Sequence, residues 1–304
     1  MIAKLLASGL AVLCSGAQPC AIAQTATPQP IELSVMTFNI RYGTADDGDN
    51  SWPLRSAMVW QLIQNHAPDV VGLQEALRFQ LDEIRSRVPG YAELGVGRDD
   101  GRTRGEYSAI LYRSRRFAVA DQGTFWFSET PDAPGSTSWG NRITRICTWA
   151  RLVERETGAH LYVYNLHLDH ESQPSRERSV ELLAAHINAR RPRDPVIVMG
   201  DFNAGEDNPA VRYLTGEIER ASSGTEPAPP SPKLADTFRA VHPTATGVGT
   251  FHGFRGDRTG ARIDAILASP QWEVLDAAIV RTNRDGRYPS DHFPVTARLR
   301  LTRP

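Results

Sequence analysis

Short strand-like runs recur from residue 31 to the end of this chain, and several of them break off in an amide, a carboxylate or an imidazole. The runs 31–40, 70–73, 108–112, 146–153, 161–168, 196–199, 262–268 and 295–301 read as strands. Several alternate apolar and polar residues, as a sheet with two unlike faces requires. Val196-Ile197-Val198-Met199 is continuous and suits a strand buried on both faces. Helical spacing lies between some of them, over 56–66, 78–88 and 175–189, each stopping at or shortly before a proline. Proline disfavours helical geometry in the residue before it, so these limits have a physical cause. Strands outnumber helices and the two interleave. That pattern predicts an α/β chain of two packed sheets with helices on their outer faces. No internal repeat shows in the sequence.

With 304 residues, 40% of them hydrophobic, the chain can bury a large core. A formal net charge of -1 gives no overall positive field to attract a polyanion, although a local basic patch stays open because arginine is abundant. The first 23 residues read as an export signal. Met1-Ile2-Ala3-Lys4 is a positive start, residues 5–13 are apolar, and Ala21-Ile22-Ala23 is a small-x-small cleavage site. Cleavage after Ala23 predicts a secreted protein, periplasmic or extracellular. The apolar run is too short to span a bilayer and no second long one follows, so no stable membrane insertion is expected. A lipoprotein reading at Cys14 or Cys20 is weaker, because Leu13 and Pro19 are not small residues. Residues 24–30 form a flexible leader, and 31–304 a single domain; the Pro/Ser/Gly-rich stretch 222–232 is an exposed loop within it. Cys147 alone outlasts the signal, which excludes an intrachain disulfide and leaves a buried, inert thiol.

Position singles out the polar residues. Asn39 ends its run, Glu75 follows Val70-Val71-Gly72-Leu73, Asn165 and His167 come late in theirs, and Asp201 and Asn203 follow Met199-Gly200. Asp264 lies between Ile263 and Ile266, and Asp291-His292 follow Pro289-Ser290. Carboxylates, amides and imidazoles at the same end of several strands suit a hard cation and phosphate oxygens.

Six blocks, in order, resemble those of the endonuclease/exonuclease/phosphatase superfamily. They are Thr37-Phe38-Asn39-Ile40-Arg41, Leu73-Gln74-Glu75, Asn165-Leu166-His167, Gly200-Asp201-Phe202-Asn203, Arg262-Ile263-Asp264 and Ser290-Asp291-His292. The resemblance implies a four-layer sandwich of two packed mixed β-sheets flanked by helices, with the site at the top of the sheets. It further implies a phosphoesterase that uses Mg²⁺ or Mn²⁺ held by Glu75 and Asn39, with Asp291 a further ligand or a neighbour of one. His292 is expected to contact phosphate with Asp264 fixing its tautomer, Asp201 to orient or deprotonate water, and Asn203 to bind the phosphorus centre. His167 is expected to stabilise the transition state or protonate the leaving group.

Weaker expectations surround this set. Tyr107 and Arg145 are candidates to position a phosphate, with Arg142 beside them, although single arginines equally form surface ion pairs. Asn165 and Asp169 are assigned to substrate binding, Asp169-His170 being equally a turn after a strand. His252 and Phe254 are specificity candidates, and Trp126 and Trp139 flank the cleft or pack in the core. The leading expectation is a monomeric phosphodiesterase acting on nucleic acid, a lipid headgroup or a small phosphodiester. The alternatives are a phosphomonoesterase for a sugar or inositol phosphate, and a non-catalytic binding module of the same fold.

Overall fold

Parity along the strands decides what faces what. The computed structural model describes residues 30–222 and 227–301. One sheet is built from β1 (Ile31–Asn39), β2 (Val70–Ala76), β3 (Tyr91–Leu94) and β4 (Tyr107–Arg113), joined by β11 (Trp272–Ile279) and β12 (Val295–Leu301). The other holds β5 (Phe117–Trp126), β6 (Ile146–Glu154), β7 (His160–His167), β8 (Val196–Asp201), β9 (Ala235–Asp236) and β10 (Asp264–Ala268). Their spatial orders are β11-β12-β1-β2-β4-β3 and β5-β6-β7-β8-β10-β9. In each sheet one neighbouring pair is parallel, β1 with β2 and β7 with β8, and the rest are antiparallel. A parallel pair needs a crossover, and α1 (Trp52–His66) and α3 (Gln173–Ala189) supply them.

Leu33 and Val35 of β1, Val163 of β7, and Ile197 and Met199 of β8 point between the sheets and form the central core. Met36, Phe38 and Leu73, of opposite parity, meet Val59 and Ile63 of α1 and Leu81 and Ile84 of α2 (Arg78–Arg87). Tyr164, Leu166 and Val198 meet Val180 and Leu183 of α3 and Val211 and Leu214 of α4 (Pro209–Thr215). The short α5 (Thr237–Val241) lies between β9 and β10 in the chain. The molecule is therefore the expected four-layer sandwich. Cys147 is wholly buried.

The expected export segment, and the leader up to residue 29, lie outside the described residues. The three expected helices are present, α1 beginning four residues early with Pro53 in its first turn, where a missing N–H is harmless. The strands passed over are β3, β5, β9 and β11, and these are the four sheet edges.

Near the C-terminal ends of the parallel strands the central layer turns polar. Gln74 Nε2 donates to Thr37 Oγ1 (3.0 Å) and Asn165 Oδ1 (2.5 Å), while Asn165 Nδ2 donates to the carbonyls of Leu73 (3.0 Å) and Ala109 (2.8 Å). Gly72 makes room for this network, since a Cβ there would lie 2.7 Å from Asn165 Oδ1. Asn165 is fully buried and its amide is consumed in joining the sheets. It forms the floor beneath the site and does not reach a substrate.

Candidate active site

The same parity that buries Leu33 and Val35 carries Asn39 to the inner face two residues beyond Thr37. Likewise His167 continues the inner row of β7, Asp201 that of β8, and Asp264 begins that of β10. Register aligns them: Asn39 lies opposite Gln74, and Asp201 lies opposite both His167 and Asp264. Glu75 would face the helices on parity alone. A register break between Leu73 and Ala76, with Glu75 at φ 59°, turns it back toward Asn39.

Asn39 Nδ2 donates to Glu75 Oε1 (3.0 Å) and to Asp201 Oδ2 (2.9 Å), linking the two sheets' carboxylates. Its oxygen accepts from the backbone N–H of Arg41 (3.0 Å), which fixes the amide's orientation. Asn39 is thus a fully buried bridge that turns its amide nitrogen, not its oxygen, to Glu75 and Asp201. The metal-ligand role expected of it would use the lone pair its oxygen keeps beyond the Arg41 bond. Asp201 is held at both oxygens, Oδ1 accepting from the N–H of Asn203 (2.8 Å). Burial, reinforced by the charge of Asp264 and opposed by His292, pushes the Asp201 carboxyl up to about 7.

His292 Nδ1 lies 2.9 Å from Asp264 Oδ2, and its Nε2 is 3.9 Å from Asp201 Oδ2. Burial works against its charge, but Asp264 and Asp201 together hold the imidazole well above its ordinary pKa. With Nδ1–H given to Asp264, the Nε2–H is too far from Asp201 to bond it and faces the cleft. The segment that delivers His292 is anchored by Arg55 of α1. This buried guanidinium donates to the carbonyls of Ile40 (2.7 Å) and Pro289 (2.8 Å), and burial pushes its pKa down to about 10.

His167 stands in the opposite state. Arg145 Nη1 reaches its Nε2 at 3.0 Å, and a guanidinium only donates, so Nε2 accepts and the proton resides on Nδ1. Burial, then the nearby Arg145 charge, drives its pKa well below the ordinary value. Protonation of a leaving group, one of the two roles implied by the resemblance, would require Nε2 to exchange its Arg145 contact for a proton. Arg145 is itself 4% exposed, with Nη2 on His170 Nδ1 (2.8 Å) and Nε 3.4 Å from Asp169 Oδ2. Asp169 accepts from the N–H groups of Glu171 (3.0 Å) and Ser172 (2.7 Å), so it braces Arg145 from behind the cavity wall.

These groups border a cavity of about 480 Å³, lined among others by Glu75, Arg145, His167, Asp201, Asn203, Asp291 and His292. Four expected substrate contacts are not brought to it, Asp169 behind the wall being one. Tyr107 is buried with its hydroxyl donating to the Arg102 carbonyl (2.9 Å). His252 packs its ring 4.0 Å from that of Phe293, and its Nδ1 accepts from the N–H of Gly256 (3.3 Å). Asn165 lies in the floor. Phe254 sits over the Arg55 guanidinium and Arg142 is a solvent-exposed ion partner of Glu171. The neighbour of His252, Phe251, is the residue exposed at the cleft, its ring 5.1 Å from His292. Phe251 pairs across a β-bridge with His292, and the alternation of that bridge turns His252 inward. Arg41, Tyr42, Arg98 and Glu106 also line the cavity and were not singled out. Arg98 and Glu106 lie in a Gly/Asp/Arg loop without periodicity, so only the fold places them.

Glu75 and Asp291 both open onto the cavity, and the Asp291 carboxyl is raised, chiefly by burial and also by the charge of Glu75. Two carboxylates crowded in this way fit a hard divalent cation, which takes oxygen donors. Asp201, Asp264 and His292 are also close enough together to hold an ion. Their hydrogen bonds, Asp264 to His292 and Asp201 to Asn39, instead mark them as a proton-handling line.

The class these features define is the enzymes that hydrolyse phosphoric esters. The chain belongs to the Endonuclease/Exonuclease/phosphatase family, whose sequence profile matches residues 36–292. Among solved structures, it is similar to an endonuclease/exonuclease/phosphatase of Bacteroides vulgatus at 34% identity and TM-score 0.78, over 89% of this chain and 99% of the other. It is also similar to a mannosyl-6-phosphatase of Bacteroides thetaiotaomicron at 31% identity and TM-score 0.76, over 88% of this chain and 99% of that one. A protein of Acanthamoeba polyphaga mimivirus is 26% identical over 184 residues, 57% of this chain and 68% of the relative.

Proposed function

We propose that this chain is a divalent-cation-dependent phosphoesterase acting on the phosphomonoester of a small soluble alcohol. The observation that carries the hydrolytic reading is the line from Asp264 through His292 (2.9 Å) toward Asp201 (3.9 Å). Asp264 keeps His292 charged, and its Nε2–H donates to a phosphoryl oxygen. Asp201, fixed at both oxygens, takes the proton of the attacking water, a task suited to a carboxyl near 7. Asn203 spends one amide hydrogen on the Leu168 carbonyl (3.0 Å) and has the other for an oxygen on phosphorus. A Mg²⁺ or Mn²⁺ ion at Glu75 and Asp291, when bound, neutralises charge on the phosphoryl group and the leaving oxygen.

The sequence alone favours a diester. Two facts favour the monoester: the Arg98 guanidinium on the cavity wall is closed on Glu106 and so not free for a flanking phosphate, and the chain is similar to a protein described as a mannosyl-6-phosphatase. A diester remains the second reading because Phe251, 48% exposed beside His292, offers a ring on which a base stacks. Export after cleavage behind Ala23 and a monomeric state belong to the same proposal.

The test is turnover of p-nitrophenyl phosphate and bis-p-nitrophenyl phosphate with Mg²⁺, Mn²⁺ or EDTA. Metal-dependent monoester hydrolysis is expected, falling by about 10³-fold or more in His292→Ala and Glu75→Ala. Turnover that survives EDTA and both substitutions would place the chemistry elsewhere, and faster diester cleavage would select the second reading.

A further inference from the structure

One charged pair on the cavity wall has no part in the hydrolysis just described. Arg98 grips Glu106 through both terminal nitrogens, at 2.6 and 2.8 Å. Their loop does not need this grip to close. Main-chain bonds join Arg98 N to the Glu106 carbonyl (3.0 Å), Gly97 N to Arg102 (3.0 Å) and Asp99 N to Arg104 (3.1 Å), and Trp126 Nε1 donates to the Arg98 carbonyl (2.6 Å). Both side chains nonetheless turn into the cavity beside Arg145. We propose that Glu106 and Arg98 form the subsite for the alcohol part of the substrate, and that this alcohol carries neighbouring hydroxyls, as a sugar does.

A hydroxyl both donates and accepts, so a pair of adjacent hydroxyls is matched by an acceptor and a donor set side by side. Glu106 supplies acceptors, each oxygen retaining a lone pair after its bond to Arg98. Donors stand nearby. Each terminal nitrogen of Arg98 keeps a second hydrogen after its bond to Glu106. His170 accepts at Nδ1 from Arg145, so its proton lies on Nε2. Burial pushes the Glu106 carboxyl up to about 7 despite Arg98, so this carboxylate lacks solvation that hydroxyl donors would supply. The exposed face of Phe251 suits the C–H face of a sugar ring. A wall built for a polyphosphate strand would leave the Arg98 guanidinium free for phosphate rather than close it on Glu106.

The subsite rests on the phosphoesterase reading, and the experiment separates the two. Hexose 6-phosphates and p-nitrophenyl phosphate, which has no hydroxyls, are compared in the Mg²⁺-loaded wild type, Glu106→Gln and Arg98→Lys. The deciding readout is the ratio of kcat/KM for sugar ester over aryl ester, expected to fall at least tenfold in both variants whatever happens to the absolute rates. A wild type that turns over the aryl ester with a ratio unmoved by either substitution overturns the subsite and spares the phosphoesterase. Diesters cleaved faster than every hexose phosphate also overturn it. A wild type that hydrolyses neither monoester nor diester sinks the phosphoesterase reading, and the subsite with it.

Discussion

Two buried histidines that flank Asp201 stand in opposite charge states, because carboxylates overcome burial at one ring and a guanidinium adds to it at the other. His292 meets Asp264 and stays protonated, whereas His167 meets Arg145 and stays neutral. From sequence, His167 closes an apolar run and His292 stands in a Pro-Ser-Asp-His turn before one. Their position near a strand end was legible, because alternation fixes which face a side chain takes. Their protonation was not, since Arg145 lies 22 residues from His167 and Asp264 28 from His292. Arg145→Gln removes the charge that adds to burial in suppressing His167. The ring's pKa, followed by NMR of its imidazole resonances, is then expected to rise toward the ordinary range. Monoester turnover should drop by about 10- to 100-fold as the ring loses its fixed orientation. An unmoved His167 titration would show that burial alone sets the state.

At the scale of elements, the sequence reveals the central strands and hides the edges. Strands such as β1, β7 and β8 are covered on both faces, so their apolar rows are long and regular. β5 and β11 slip register at 119–121 and 274–276, which breaks the alternation a reader looks for, and β3 and β9 are short. Charged, bulged and short edges deter pairing with another chain, so the property that hid them is one that protects the fold. Where β8 passes β7, Gly200 adopts φ 151° and a Cβ would lie 2.1 Å from the Leu166 carbonyl oxygen. Gly200→Ala should cost about 3 kcal/mol or more in urea unfolding, because backbone rather than a flexible side chain must yield. Near the start of β10, Arg262 is clamped by Glu206 (3.0 Å) and Asp236, and Arg239 also grips Glu206 (2.6 Å). These partners hold the Glu206 carboxyl down at about 2. A depressed folded-state pKa stabilises above the unfolded value near 4.5 and loses that contribution as pH falls toward 2. Glu206→Gln should therefore lower stability by about 1–2 kcal/mol at pH 7, allowing for its partial exposure, and flatten the acid limb of the melting curve.

The whole molecule is two six-stranded sheets whose halves supply different parts of one site. The first gives Asn39 and Glu75 from its parallel pair, the second His167 and Asp201, and the cavity lies where both inner faces run out of apolar residues. That division explains why six short blocks spread over the chain signalled the site better than any one of them. The spatial orders have a further consequence. Start the count at β11, and both sheets have one wiring: four consecutive strands side by side, then the sixth, then the fifth. Residues 31 and 301 already lie opposite each other, as Ile31 pairs with Leu301. A chain rejoined there and opened between β10 and β11 would be two tandem copies of one strand order. The halves share that wiring although no internal repeat shows in their residues.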